Sequence, residues 1–156
     1  MSNRKVAVVT GAANGIGEAA ARLFAQKGYA VCILDVVEKM HQVEAEITAA
    51  GGDCNVWQSD VSNETNVKAF IGEVVEKNGR IDVLNNNAGI VVVKPLEEIE
   101  WADFKRVVDV NIGGIFLFCK HVLPVMKKQK DGSVANMGSV SDHVGQIDHT
   151  IYGATR

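Results

Sequence analysis

Two rhythms of apolar residues alternate along the chain. Short runs dominated by small apolar and β-branched residues occur at Lys5-Val6-Ala7-Val8-Val9, Ala30-Val31-Cys32-Ile33-Leu34, Cys54-Asn55-Val56-Trp57-Gln58, Ile81-Asp82-Val83-Leu84 and Ser133-Val134-Ala135-Asn136-Met137. Such runs predict strands of a parallel sheet covered on both faces. Between them the period lengthens to that of a helix. Ile16, Ala19, Ala20, Leu23 and Phe24 share one helical face that stops at Gly28. Met40, Val43, Ile47 and Ala50 share a second, stopped by Gly51-Gly52. Val67, Phe70, Ile71, Val74 and Val75 form a third, with Ser62 expected as N-cap, Glu64 in the first turn and Gly79 at the end. A long pattern from about Trp101 to Lys128 predicts one helix with the stripe Phe104, Val108, Ile112, Ile115, Cys119, Val122 and Met126. Pro124 removes a backbone donor inside it and is expected to kink it. A polar loop follows Gly138 and runs to Thr150.

Strands alternating with helices predict an α/β fold, wound by right-handed crossovers. The expected architecture is a three-layer, Rossmann-like, doubly wound parallel sheet of strand order 3-2-1-4-5 with helices on both faces. Its ligand is expected outside the carboxyl ends of the strands. The 156 residues carry no internal repeat or linker and suit one domain, 1-156.

Composition narrows the function classes. Hydrophobic residues make up 47% and charged residues 22%, ordinary for a soluble globular chain. A formal net charge of −3 gives no support to a nucleic-acid or anionic-membrane partner. The three cysteines, Cys32, Cys54 and Cys119, contain no C-x-x-C pair and read as buried reduced thiols, with no metal site expected. No apolar run is read as a membrane span, and Met1-Ser2-Asn3-Arg4 leads straight to the first strand without a signal peptide, so a cytoplasmic location is expected.

The chemistry gathers at strand ends. The turn Thr10-Gly11-Ala12-Ala13-Asn14-Gly15-Ile16-Gly17 joins the first strand to the first helix. Free N–H groups and the positive end of a helix dipole favour an anion there, and missing Cβ atoms let a pyrophosphate approach. Alone, the same turn also reads as a corner that needs glycine for positive φ. Asp35 ends the second strand, 18 residues after Gly17, where a carboxylate would accept hydrogen bonds from ribose hydroxyls. Its neighbours Leu34 and Val36 are not basic, so a 2′-phosphate would meet repulsion, and NAD is expected over NADP. Asp60-Val61 after the third strand could bracket an adenine ring, and Asn87-Ala88-Gly89 end the fourth. His143 and His149 lie in the loop before Tyr152, either near substrate or solvated.

In this set the chain resembles the short-chain dehydrogenase/reductase family. The T-G-x-x-x-G-I-G turn, the acidic end of strand two, N-N-A-G at Asn86 to Gly89, Asn111, Ser139 and Tyr152 stand in that family's order. The resemblance implies hydride transfer between NAD and a secondary alcohol or ketone. It assigns Tyr152 as general acid/base and a cofactor contact, Ser139 as polariser of the substrate oxygen, and Asn111 as holder of a relay water. Gly11, Asn14, Gly15, Ile16, Gly17, Asp35, Asp60, Val61, Asn87, Ala88 and Gly89 would bind the cofactor. A phenol with a pKa near 10 needs a nearby cation to exchange protons at neutral pH. The family has Tyr-x-x-x-Lys, whereas this chain has Tyr152 and Arg156. Arginine keeps the charge but cannot lose a proton. The family also continues well past this point, so the sequence reads as incomplete at the C-terminus. The alternative is therefore a truncated or non-catalytic NAD-binding module. Small-molecule substrate and homo-oligomer, with the helix from Trp101 as contact surface, complete the expectations.

Overall fold

Five strands, β1 (Val6–Thr10), β2 (Ala30–Asp35), β3 (Asp53–Gln58), β4 (Val83–Asn86) and β5 (Ser133–Asn136), run parallel in one sheet of order 3-2-1-4-5. The computed structural model describes residues 4–156, and Met1 to Asn3 lie outside the described residues. Helices α1 (Gly15–Gln26) and α2 (Met40–Ala49) cover one face of the sheet; α3 (Glu64–Asn78) and α5 (Gly114–Gln129) cover the other. A shorter α4 (Trp101–Val108) leads into α5, and α6 (Thr150–Ala154) lies near the end.

The strands feed two cores because successive side chains point to opposite faces. Val6, Val8, Cys32 and Leu34 pack with Phe70, Leu117, Phe118 and Val122, whereas Val9, Val31 and Ile33 pack with Ala21, Met40 and Val43. Each fully buried Val, Leu, Ile or Phe contributes on the order of 1.5–3 kcal/mol relative to exposure. Phe70 lies edge-on to Trp57 at 4.8 Å between ring centroids and tilted to Phe118 at 5.9 Å. Burial pushes the Cys32 and Cys54 thiols up to about 12, so both stay protonated and unreactive. β5 closes one edge of the sheet, with all four of its residues exposed.

Three sequence expectations shift. The N-cap of α3 is Asn63, whose side chain accepts from the Asn66 N–H at 3.1 Å, and not Ser62. α3 begins at Glu64, so Asn63 and not Ser62 directly precedes it, and the Ser62 hydroxyl donates to Asp60 Oδ1 at 2.7 Å. β4 begins two residues later than expected and takes in Asn85 and Asn86, which pair with β1 and β5 despite asparagine's poor strand propensity.

The long helix also has a different face. A π-helical segment, Asp109–Gly113, separates α4 from α5. Its wider turn rotates the two halves against one another, so the single-period stripe fails. Phe104 and Ile112 are exposed, while Val107, Val110, Asn111, Leu117 and Phe118 are buried. α5 passes through Pro124 on its exposed side without ending. Taken as one run, Trp101–Gln129 is long and apolar enough to cross a membrane by length and composition. Its inward face, however, is part of the core around Phe118 and Val122.

Asp82 ties the start of this sheet together. Its buried carboxylate accepts from the Val6 N–H at 2.8 Å and from Arg80 Nε at 2.8 Å, and a second Arg80 nitrogen also bonds it. Burial alone would raise its pKa; the Arg80 guanidinium and the Val6 amide together hold it below the usual carboxylate range. Asp82→Ala is expected to cost about 2–4 kcal/mol in urea unfolding by leaving the Val6 amide and Arg80 unpaired. A carboxyl with a depressed folded pKa stabilises above its unfolded pKa near 4, and that stability is lost as pH falls through the lower folded value. The gap between wild type and variant should therefore close in acid.

Candidate active site

All five strands deliver their carboxyl ends to one side of the sheet, and a cleft of about 380 Å³ opens there. Its walls include Gly11, Asn14, Ile16, Asp35, Asp60, Val61, Asn87, Ala88, Gly89, Tyr152 and Arg156. Most of the residues singled out from sequence are thus brought together by the fold.

The glycine turn is built against the end of β4. Gly11 and Gly15 take positive φ, at 66° and 55°, a region that costs a side chain. Gly11 sits where a Cβ would come within 2.7 Å of Ala88 Cα. A Cβ at Gly17 would run into the Gly11 carbonyl oxygen and the Asn87 amide. The Thr10 hydroxyl accepts from both the Asn87 and Ala88 N–H groups at 3.1 Å, and Asn87 Nδ2 donates to the Gly11 carbonyl at 2.9 Å. Asn14 makes no side-chain capping bond, so the first N–H groups of α1 keep capacity for an anion. A cradle without Cβ atoms, an uncapped helix end and a cleft beside them fit a dinucleotide's pyrophosphate.

Asp35 has a role that the sequence did not reveal. Its Oδ2 accepts from the Ala13 N–H at 2.9 Å and its Oδ1 from the Val37 N–H at 3.1 Å. The carboxylate therefore shapes the glycine turn as well as lining the cleft. A carboxylate offers about four acceptor positions, leaving about two for ribose hydroxyls.

Asn111, fully buried, is a clamp. Its Oδ1 accepts from the Ile90 N–H at 2.9 Å, and its Nδ2 donates to the Ile90 carbonyl at 3.0 Å and to Thr155 Oγ1 at 2.9 Å. Neither Asn111 nor Ser139 is among the residues that line the cleft. Ser139 bonds Ser141, accepting its N–H at 3.2 Å. Tyr152 lines the cleft half-buried, its ring edge-on to that of His149 at 6.4 Å. His143 is exposed beside Asp142.

Arg156 departs from the expected geometry. Four positions after Tyr152, it would lie one turn further along a continuing helix, but α6 ends at Ala154. Its guanidinium donates to the carbonyls of Met137 at 3.0 Å, Ala88 at 2.8 Å and Asn87 at 3.4 Å. It fills the space over Gly89 where a Cβ would stand, and its Nε is buried without a partner.

Sequence reasoning missed Arg106. It reaches the cleft from α4, 46 residues from its ion-pair partner Asp60, and no motif marks it. Val36, Val37, Ile90 and Met137 also line the cleft without a sequence signal beyond their neighbourhood to strand ends.

Comparison with known proteins gives a consistent picture. The family model described as short chain dehydrogenase matches residues 5–156. The chain is 39% identical over 153 residues to cis-4-hydroxycyclohexanecarboxylate dehydrogenase of Sinomonas cyclohexanicum, covering 97% of this chain and 61% of that protein. It is 38% identical to zerumbone synthase of Zingiber zerumbet, covering 96% and 57%. A 3-oxoacyl-[acyl-carrier-protein] reductase of Thermotoga maritima is 37% identical, with 97% and 62% covered. The crystal structure of a metagenomic short-chain oxidoreductase in complex with NADP superposes with a TM-score of 0.93 at 36% identity, covering 97% of this chain and 69% of that one. The chain thus spans about three fifths of the length of the curated relatives it matches.

Two glycines of the turn should respond differently to a methyl group. Gly15→Ala meets nothing within 4 Å and carries only the backbone strain of positive φ, about 1–2 kcal/mol. Gly17→Ala must push Gly11 or Asn87 aside and is expected to cost about 1–3 kcal/mol through overpacking. Urea melts compare the stabilities. Amide exchange at Asn87 and Ala88 should rise in Gly17→Ala and stay unchanged in Gly15→Ala.

Proposed function

This chain belongs to the short-chain dehydrogenase family, and we propose that it is an NAD-dependent oxidoreductase of a secondary alcohol or ketone, with Tyr152 as general acid/base. The observation that carries the reading is one cleft lined together by the glycine turn, Asp35, Asp60-Val61, Asn87-Ala88-Gly89 and Tyr152. The bound dinucleotide would supply or accept the hydride. Gly11, Asn14, Gly15, Ile16 and Gly17 would hold its pyrophosphate at the N-terminus of α1, and Asp35 its adenosine ribose. Tyr152 would give its phenolic proton to the substrate oxygen during reduction and take it back during oxidation. Ser139 would polarise that oxygen. Asn111 would fix the wall behind, through Ile90 and Thr155.

NAD is favoured over NADP by Asp35, whose carboxylate stands in the cleft beside the uncharged Leu34, Val36 and Val37. A 2′-phosphate there would bring a second negative charge to a carboxylate. Arg106 lines the same cleft, but its charge is taken up by Asp60. The metagenomic relative crystallised with NADP, so a direct measurement decides the point. In fluorescence titrations, NADH is expected to bind at least about tenfold more tightly than NADPH, equivalent to 1.4 kcal/mol. Asp35→Asn, which keeps an acceptor for the Ala13 amide, should shrink that preference. NADPH binding as tightly as NADH would overturn this assignment.

Residues 1–156 would act as one NAD-binding unit, on a small-molecule substrate and in the cytoplasm. Trp101 and Phe104 stack on one another at 4.9 Å on the outer side of α4, and Trp101 is 75% exposed. With Ile112, Phe116 and Leu123 also exposed, this side supports a homo-oligomer.

One observation favours a second reading, a dinucleotide-binding module without turnover. The Arg156 guanidinium is bonded to three main-chain carbonyls, so its capacity to act on Tyr152 is limited. Turnover of a panel of secondary alcohols with NAD separates the two. The enzymatic reading expects Tyr152→Phe to lower turnover by about 100- to 10,000-fold while NADH affinity stays unchanged. NADH binding without turnover, in wild type and in Arg156→Lys, would leave the module.

A further inference from the structure

We propose that Arg106 is a positioning residue of the dinucleotide site: it holds the Asp60 carboxylate so that its free lone pair accepts the exocyclic amino group of the adenine. The inference rests on the nucleotide reading above and extends it to a residue of α4 that no motif marks.

The geometry is specific to the pair. Asp60 Oδ1 accepts from the Ser62 N–H at 2.9 Å and from the Ser62 hydroxyl at 2.7 Å. Its Oδ2 takes Arg106 Nη1 at 2.7 Å. Of about four acceptor positions, three are filled. The remaining one lies on the oxygen that Arg106 orients, and both residues line the cleft. Burial alone would raise the Asp60 carboxyl; the Ser62 amide, the Arg106 guanidinium and the Ser62 hydroxyl hold it below its ordinary value. Asp60 is therefore an acceptor only. It can read an amino group, and it repels a keto oxygen in the same place.

The helix that carries Arg106 is fitted to this wall. Gly114 approaches so closely that a Cβ there would lie 2.8 Å from Val61 Cγ2, and Val110, one turn earlier, lines the cleft. In an uninterrupted α-helix, residues 106 and 114 would be rotated about 80° apart, at 3.6 residues per turn. The intervening π segment has more residues per turn and brings Arg106, Val110 and Gly114 onto one side. Without it, the same close packing at Gly114 would carry Arg106 away from Asp60. The π segment thus contributes to base recognition as well as to the burial of Asn111.

Adenine and hypoxanthine differ at the atom in question, amino against keto, so NADH and its hypoxanthine analogue, deamino-NADH, are the probes. Dissociation constants are measured by fluorescence titration on the full chain and on Arg106→Gln and Arg106→Lys. Arg106 is half-exposed and its removal opens no core cavity, which circular dichroism verifies. Wild type is expected to prefer NADH by about tenfold, the effect of one hydrogen bond to a charged group. Arg106→Gln should bring that ratio below about threefold, chiefly by weakening NADH, and Arg106→Lys should restore part of it. The ratio is the decisive readout, since loss of a general electrostatic or structural contribution would weaken both ligands alike. Equal weakening of both, no change, or no preference in wild type would each overturn the proposal while leaving the nucleotide reading intact. Failure of wild type to bind either ligand would overturn both.

Discussion

The hydroxyl of Thr10 is the point on which the site depends. It accepts from two successive amides, Asn87 and Ala88, and so fastens the end of β1 to the end of β4 where the ladder between them runs out. Asn87 returns the bond to the Gly11 carbonyl. A parallel sheet offers no hairpin to fix neighbouring strand ends, so a side-chain seam of this kind sets their relative position. The glycine turn and the exit of β4 are placed with respect to it. Gly11 and Gly17 lack side chains because the seam is too tight for them, and the uncapped start of α1 faces the cleft as a consequence. A cradle free of Cβ atoms, with the shape the proposed pyrophosphate needs, is in this sense a by-product of close packing between two strand ends.

The same economy recurs where α5 meets the third strand's exit. Gly114 lets the helix touch Val61, and the π segment before it chooses which residues look into the cleft. It buries Asn111, whose amide substitutes for a strand partner by bonding both the N–H and the carbonyl of Ile90. A loop that would otherwise leave its backbone unsatisfied is thereby held as firmly as a strand. Two irregularities, positive-φ glycine and a widened helical turn, thus both border one cleft, through Gly11 and Val110.

How far the sequence reveals this follows the range of the interactions. Strand order, the glycine turn and the places of Asp35 and Asn87 at the strand ends were legible, because apolar runs and glycines report on their own surroundings. Ser62 is not the cap because α3 starts only at Glu64; Ser62 and the adjacent Asn63 both carry a capping oxygen, and only the start of the helix decides between them. The stripe through Phe104 and Ile112 failed because a constant period cannot register an inserted residue. Arg106 was invisible for a different reason: its partner is 46 positions away, and surface arginines on helices are common. Asp35 was placed correctly at the strand end but its bond to Ala13 was not foreseen, because a carboxylate near a ribose and a carboxylate bracing a turn leave the same mark in sequence.

Arg156 shows where the family pattern and the local physics diverge. A lysine ammonium is a compact charge on a flexible stem, whereas a guanidinium offers five donors in a fixed fork. Three carbonyls converge here, from Asn87, Ala88 and Met137, and a fork satisfies such a cluster where a point charge would meet only part of it. The space over Gly89 accepts the planar group because that residue has no Cβ. Arginine at this position therefore ties together the residues that follow β4 and those that follow β5.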